Sequence, residues 1–496
     1  MSGKATGKQN LTSGGLWLGL AKLWFLVASY AITISLTHLL DAAVFGQYYA
    51  VARLIAVPNM VIIYTLLFSV SRPLAEQYDD GFPSYIALRR RGLRLAALLG
   101  GLTALVFFMG APAFADWLSD PDLVWPIRVV APISLVYALY AVNLGTLNAV
   151  RRFNLQAALD ISMATMKAVF IVGAAALSLG LAATVGGFTL ASVMALVVSA
   201  ALVVRGRPPR ARETSDKVAP MAQFVGALVV FTAIVNVLQS ADVLILKGYA
   251  ATQAQDTAVG FYASAQQVAL VPYSLMNAVA LLMFPLIASL SESADRAKVR
   301  RYVEQTARVC VLLLAFMSAV GSAASAEVQA LLFPKAYGAA ASELRWLVWG
   351  FSGYSFAVTV AWVFNSSKRT GAALLLVAVP LLTVVVATRL LVPGGFTTGA
   401  AESVGIAGGA GFVVGAILLW RSFGASLGLL HFAKIAAAVA AVELVASFLT
   451  LSSTSGLVGK LFIVGKLGVL AGTFIAVVLG TKAVTIAEIR ELRRAG

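Results

Sequence analysis

Apolar runs of about 20 residues, the length a helix needs to cross a bilayer's hydrocarbon core, recur from one end of this chain to the other. They lie at roughly 14–38, 45–70, 93–115, 125–148, 157–180, 183–204, 221–247, 258–288, 306–325, 343–365, 371–392, 403–421, 428–451 and 461–481. No single water-soluble core can hide that many, and lipid admits only helices or closed barrels, because every backbone N–H and C=O must find a partner inside the chain. The spacing predicts an all-α integral membrane protein of about 14 transmembrane helices. Composition agrees: 60% of the 496 residues are hydrophobic and only 12% are charged.

The charges fix an orientation. Lys and Arg total 37 against 21 Asp and Glu, for a net charge of +16. In a soluble protein such an excess would point to nucleic acid. Here the basic residues collect in alternate loops, at Arg89, Arg90 and Arg91, at Arg151 and Arg152, at Arg205 to Lys217, at Arg296 to Arg301 and at the C-terminus. The intervening loops carry acids, as in DWLSDPD at 116–122, or little charge. Positively charged loops stay on the cytoplasmic side, so both termini are predicted cytoplasmic and no nucleic-acid partner is expected. The first dozen residues are polar, and the apolar segment after them is too long for a signal-peptide core, so it is predicted to be a first anchor.

Chemistry-bearing motifs are scarce. The one cysteine, Cys310, lies in an apolar run, and the two histidines, His38 and His431, are far apart in sequence, so neither a disulfide framework nor a metal site is predicted. The chain has no Walker A loop, no H-E-x-x-H and no G-x-S-x-G, so no enzyme, no ATP-driven engine and no cofactor is expected. The loops are too short for a soluble domain. The Arg- and Pro-rich stretch at 205–220 reads as a cytoplasmic linker between an N-terminal six-helix lobe, 14–204, and a C-terminal six-helix lobe, 221–421, with transmembrane helices 13 and 14 at 428–481.

The two lobes look like copies. GQYYAVARLIAVP at 46–58 and GFYASAQQVALVP at 260–272 share Gly, Tyr, Val and Pro at the same offsets. Each opens the second helix of its lobe, which predicts two parallel repeats, a common transporter plan. The alternative is a pair of interfacial turns with similar needs.

These residues carry a resemblance. SADVLILKGYA at 240–250, VGFYASAQQVALVPYSLMNAVALLMFPLIASLSE at 259–292, FGQYYAVARLI at 45–55 and FPKAYGAAASELRWL at 333–347 resemble the polysaccharide transporters of the MOP flippase superfamily, the Wzx-type O-antigen flippases. The resemblance implies a MATE-like V of two helical bundles that opens alternately to either side. It implies as cargo an undecaprenyl-pyrophosphate-linked oligosaccharide carried across the bacterial inner membrane for surface polysaccharide, whether O-antigen, other lipopolysaccharide or exopolysaccharide. Expected partners are the lipid-linked oligosaccharide, membrane lipids, a polysaccharide polymerase and chain-length machinery.

A charge at mid-bilayer costs about 2.5–3.5 kcal/mol, so such residues usually face a wet cavity or one another. Lys335, Lys460, Lys466, Lys247 and Arg389 lie close enough to span ends to snorkel into headgroups. At 100° per residue Lys22 shares a face with Ser29 and Thr33, Arg53 with Tyr49 and Tyr64, Asn236 and Ser240 with Lys247, and Arg345 with Ser352. In the resembling family the first, second, seventh and eighth helices line the central cleft, so Lys22, Arg53, Arg128, Lys167, Lys247 and Arg345 are the candidate substrate-binding residues, Arg as a bidentate and Lys as a point-charge partner of phosphate. Asp242 and Asp160 are the candidate ion-coupling acids, although Asp160 and Lys167 also share a face and can neutralise each other. Tyr48, Tyr49, Tyr64, Tyr262 and Tyr273 offer stacking surfaces for sugars or ordinary packing. Helices 13 and 14 offer the lipid tail an apolar groove, or simply pack laterally.

Three rivals remain at this point. A multidrug exporter of the same superfamily would want an acidic cavity. A lipid II flippase shares the helix plan. A membrane polysaccharide polymerase or ligase would carry a large outward loop that this chain lacks.

Overall fold

The computed structural model describes residues 11–78, 80–205, 222–291, 296–367, 369–449 and 456–482. The linker at 205–220 lies, beyond Arg205, outside the described residues. Among the described residues the only regular elements are helices. In chain order they are α1 (Leu11–Leu39), α2 (Ala42–Ala75), α3 (Tyr85–Met109), α4 (Ala111–Trp117), α5 (Val124–Val130), α6 (Ile133–Ala149), α7 (Phe153–Ala176), α8 (Gly180–Arg205), α9 (Ala222–Leu238), α10 (Ala241–Gly248), α11 (Gln253–Ser291), α12 (Arg296–Ala323), α13 (Ser325–Leu332), α14 (Ala341–Ser366), α15 (Thr370–Phe423), α16 (Leu429–Phe448) and α17 (Gly456–Gly480).

Eleven helical stretches among the described residues are long and apolar enough to cross a membrane, and the bent pair α9 and α10 passes the same test together. The 54-residue α15 would be about 80 Å long at a rise of 1.5 Å per residue, far beyond a hydrocarbon core of about 30 Å. It is broken at Phe396 (φ 44, ψ −113), just after Pro393, Gly394 and Gly395, and so supplies two crossings. A chain of fourteen spans is compatible with this arrangement.

Two compact units emerge, one of residues 1–240 with 250–256 and the other of 241–249 with 257–496. In the first, α1 packs along α7, α7 along α8, α2 and α3 against α6, and α9 against α2. In the second, α14 packs along α15, α10 against α15, α12 against α14, and the hairpin α16–α17 against α12.

The internal repetition extends beyond the short motif. A long proline-bearing helix (α2, α11) leads in each half to one helix (α3, α12), then a short helix (α4, α13), then a 3-10 turn, Pro121–Leu123 in one half and Lys335–Ala340 in the other. The next junction repeats down to its dihedral angles. Arg152 (φ −92, ψ 56) opens α7 and Arg369 (φ −102, ψ 58) opens α15. In each, the backbone N–H donates to the carbonyl five residues back, Leu147 at 3.0 Å and Phe364 at 2.9 Å.

Packing is closest where side chains vanish. A Cβ on Gly353 would fall 2.3 Å from the carbonyl oxygen of Gly408, and one on Gly408 would fall 2.3 Å from that of Gly350. Small residues let lipid-embedded helices touch backbone to backbone, as α14 and α15 do here.

Candidate functional site

The sequence places polar groups on single faces of α1, α2 and α7, and the folded unit turns those faces toward one another. Since α1 lies along α7 while α2 lies along α6, and α1 and α2 touch only sparsely, the space between α1 and α2 is a candidate groove bordered by α6 and α7.

At one level of this groove Lys22 of α1 lies within electrostatic reach of Tyr64 on α2 and Asp160 on α7. Asp160 is buried and accepts from the hydroxyl of Tyr140 on α6 at 3.5 Å. At a second level the guanidinium of Arg53 donates to the hydroxyl of Tyr49, and its carbon stands 4.8 Å from the centroid of that ring. Tyr30 of α1 neighbours both. Lys167 of α7 completes this level, within electrostatic reach of Arg53 and with its ammonium 4.1 Å from the centroid of Phe188 on α8.

Among the described residues, none of these three cations has a carboxylate within 4.0 Å. Elsewhere the pairing is direct. Arg345 meets Glu443 of α16 at 3.2 Å, and Ser322 donates to the same carboxylate at 3.3 Å. Lys466 of α17 meets Glu327 of α13 at 2.5 Å, with side chains 6% and 14% exposed. A cation at bilayer depth with no acid in contact is costly unless water, an anion or a ring meets it.

The remaining candidates go elsewhere. Arg128 of α5 extends over Phe108 of α3, 5.6 Å from the ring centroid, with its Nε buried and unbonded. Arg345 is held by Glu443, and Ser352, two turns along α14, pairs through its hydroxyl with that of Ser318 at 2.7 Å. Lys247 is fully buried on α10, so it does not snorkel, and the break at Gln239 and Ser240 interrupts the register that would have lined it up with Asn236. Asp242 on the same helix accepts from Tyr262 at 2.6 Å and from Gln266 at 2.7 Å. Lys466 does not reach for headgroups either, being tied to Glu327. Tyr48 and Tyr262 are buried and pack, whereas Tyr64 is 38% exposed and stacks with Phe68 at 6.3 Å.

Tyr140, Phe188 and Tyr30 belong to the site without having been singled out by sequence. One signal was present for Tyr140: it stands at the repeat offset from Tyr354, so each half places a tyrosine at the same point of its fourth span. Among the described residues no group of His, Cys, Asp and Glu is placed to hold a metal ion.

Comparisons with known proteins bear on this arrangement. No curated protein matches the chain in sequence. Among solved structures it is similar to the lipid II flippase MurJ in an inward closed conformation, with a TM-score of 0.72 at 12% identity over 94% of this chain and 98% of that one. It is also similar to a multidrug resistance MATE family transporter of the MOP superfamily in its inward-facing conformation, with a TM-score of 0.61 at 14% identity over 81% and 98%. A third is a MOP superfamily transporter from Pyrococcus furiosus, described as having a binding pocket of reverse polarity, with a TM-score of 0.58 at 15% identity over 85% and 100%. At these identities the likeness is one of fold. The sequence profile described as polysaccharide biosynthesis protein matches residues 93–341, half of the chain. With its repeated halves and MurJ- and MATE-like helix plan, the chain belongs to that polysaccharide biosynthesis protein family and has the fold of the MOP superfamily transporters.

Proposed function

We propose that this protein is a flippase that carries an undecaprenyl-pyrophosphate-linked oligosaccharide across the bacterial inner membrane by secondary alternating access, with both termini cytoplasmic, to supply surface polysaccharide synthesis. One observation carries the reading: Lys22, Arg53 and Lys167 lie near one another in the first unit with no carboxylate within 4.0 Å among the described residues, while Arg345 and Lys466 are neutralised by partners. Such a set suits a pyrophosphate, with Arg53 offering a planar fork and the two lysines point charges. The exposed rings of Tyr64 and Phe68 on the same helix suit the proximal sugar. Family membership supports the polysaccharide assignment, and the fold supports a transporter. On this reading no catalytic group is required, and the partners are the lipid-linked oligosaccharide, its polymerase and chain-length machinery. The division into lobes at 14–204 and 221–421, with helices 13 and 14 serving the lipid tail, is part of the same proposal.

A cationic groove disfavours the export of cationic drugs. The fold likeness to a lipid II flippase favours that cargo as the second reading. Proteoliposomes separate the two: externally added lipid-linked oligosaccharide should be translocated, with Lys22→Gln, Arg53→Gln and Lys167→Gln each lowering the rate at least tenfold, and lipid II should not be moved. Translocation unaffected by all three substitutions would end the proposal.

A further inference from the structure

Three helices of the first unit each carry groups at both levels of the groove, and all three order them alike. On α1, Lys22 precedes Tyr30 by eight residues, and on α7, Asp160 precedes Lys167 by seven. On α2, joined to α1 by a two-residue turn and therefore running back, Arg53 precedes Tyr64 by eleven. At 1.5 Å per residue these separations are about 12, 10 and 16 Å along the helices. The electrostatic neighbours keep the same order: Lys22 lies within reach of Tyr64 and Asp160, while Arg53 touches Tyr49 and lies within reach of Tyr30 and Lys167. Two levels exist, and they differ in charge. The first holds one cation and one buried acid that approach without coming within 4.0 Å, and the second holds two cations and no acid among its described neighbours.

We propose that these levels are two successive stations for one pyrophosphate. The Lys22 station is held near neutral by Asp160. The Arg53–Lys167 station, about three turns farther along α2, carries a net charge of +2. This rests on the function proposed above and adds a role for Asp160, which acts through Lys22 as a positioning residue. Its counter-charge keeps the anion from settling at the first station, so that the second, more positive one draws it onward. Tyr140 donates to that carboxylate at 3.5 Å, a long contact that leaves its charge in place.

Binding of inorganic pyrophosphate to the purified full-length protein in nanodiscs at low ionic strength tests this. Asp160→Asn should tighten binding on the order of tenfold, the effect of removing one nearby like charge from a partly screened site. Adding Lys22→Gln should abolish the gain. Tyr140→Phe, which keeps the carboxylate, should leave affinity within about twofold of the starting protein, a change too small to register as a lost charge. In transport, Asp160→Asn should lower KM and kcat together, a split that a merely structural residue would not produce. Should the amide variant fail to fold, Asp160→Ser carries the same expectation. Unchanged or weaker pyrophosphate binding in the charge-removed variant, with Arg53→Gln and Lys167→Gln still weakening it, overturns the two stations and leaves the flippase reading standing. Pyrophosphate binding indifferent to Arg53 and Lys167 overturns both.

Discussion

Lys466 and Glu327 show how this chain treats a charge it intends to keep out of reach. Their side chains are 6% and 14% exposed and 2.5 Å apart. Removing one partner strands the other in a poorly solvated site, a loss of about 3–5 kcal/mol. Glu327→Gln should therefore lower the unfolding midpoint sharply, while the double substitution Glu327→Leu with Lys466→Leu recovers most of it; equal melting of single and double variants would contradict this. Arg72 and Glu76, with side chains 56% and 64% exposed, form a pair worth at most about 1 kcal/mol. Glu76→Gln should leave melting nearly unchanged. The contrast explains which charged residues sequence could place. Lys22, Arg53, Asp160 and Lys167 each lie on a continuous helix, where angular arithmetic holds over several turns, so the face each occupies could be read from sequence. The partner of Lys466 could not, because it is 139 residues away and nothing local announces it.

At the scale of whole helices, the hydropathy windows fall on helical stretches of the structure, since lipid leaves the backbone no alternative to helix. They do not show every interruption. The break at Gln239 and Ser240 falls inside the single window 221–247, whereas the break at Phe396 falls in the gap between the windows 371–392 and 403–421, just after Pro393, Gly394 and Gly395. Close approach is a tertiary property, visible only once Gly353 is seen against Gly408. Gly353→Ala would drive a methyl into backbone that cannot yield, and overpacking of this kind costs about 1–3 kcal/mol or more. Gly409→Ala, with nothing within 4 Å of the added atom, is the matched control and should melt as the parent does. Equal stability of the two variants would mean that α14 and α15 are less tightly joined than their backbones indicate.

For the molecule as a whole, the single cysteine is an experimental convenience. Cys310 is buried, and a Cys310→Ser background leaves no other thiol. In that background Ser119→Cys should react with a membrane-impermeant maleimide in intact cells, while Asn154→Cys should react only after lysis. Labelling of both from outside would refute cytoplasmic termini. The crowding of three cations around one groove has a physiological consequence as well. Such a place is never vacant in a cell: chloride, phosphate and nucleotides will compete for it, and the true cargo must displace them. Flux should thus fall steeply as monovalent salt rises from about 50 to 200 mM, the range over which the screening length shrinks from roughly 14 to 7 Å. It should fall further when millimolar phosphate replaces chloride at constant ionic strength, so the cell's own solutes set how hard this carrier can work.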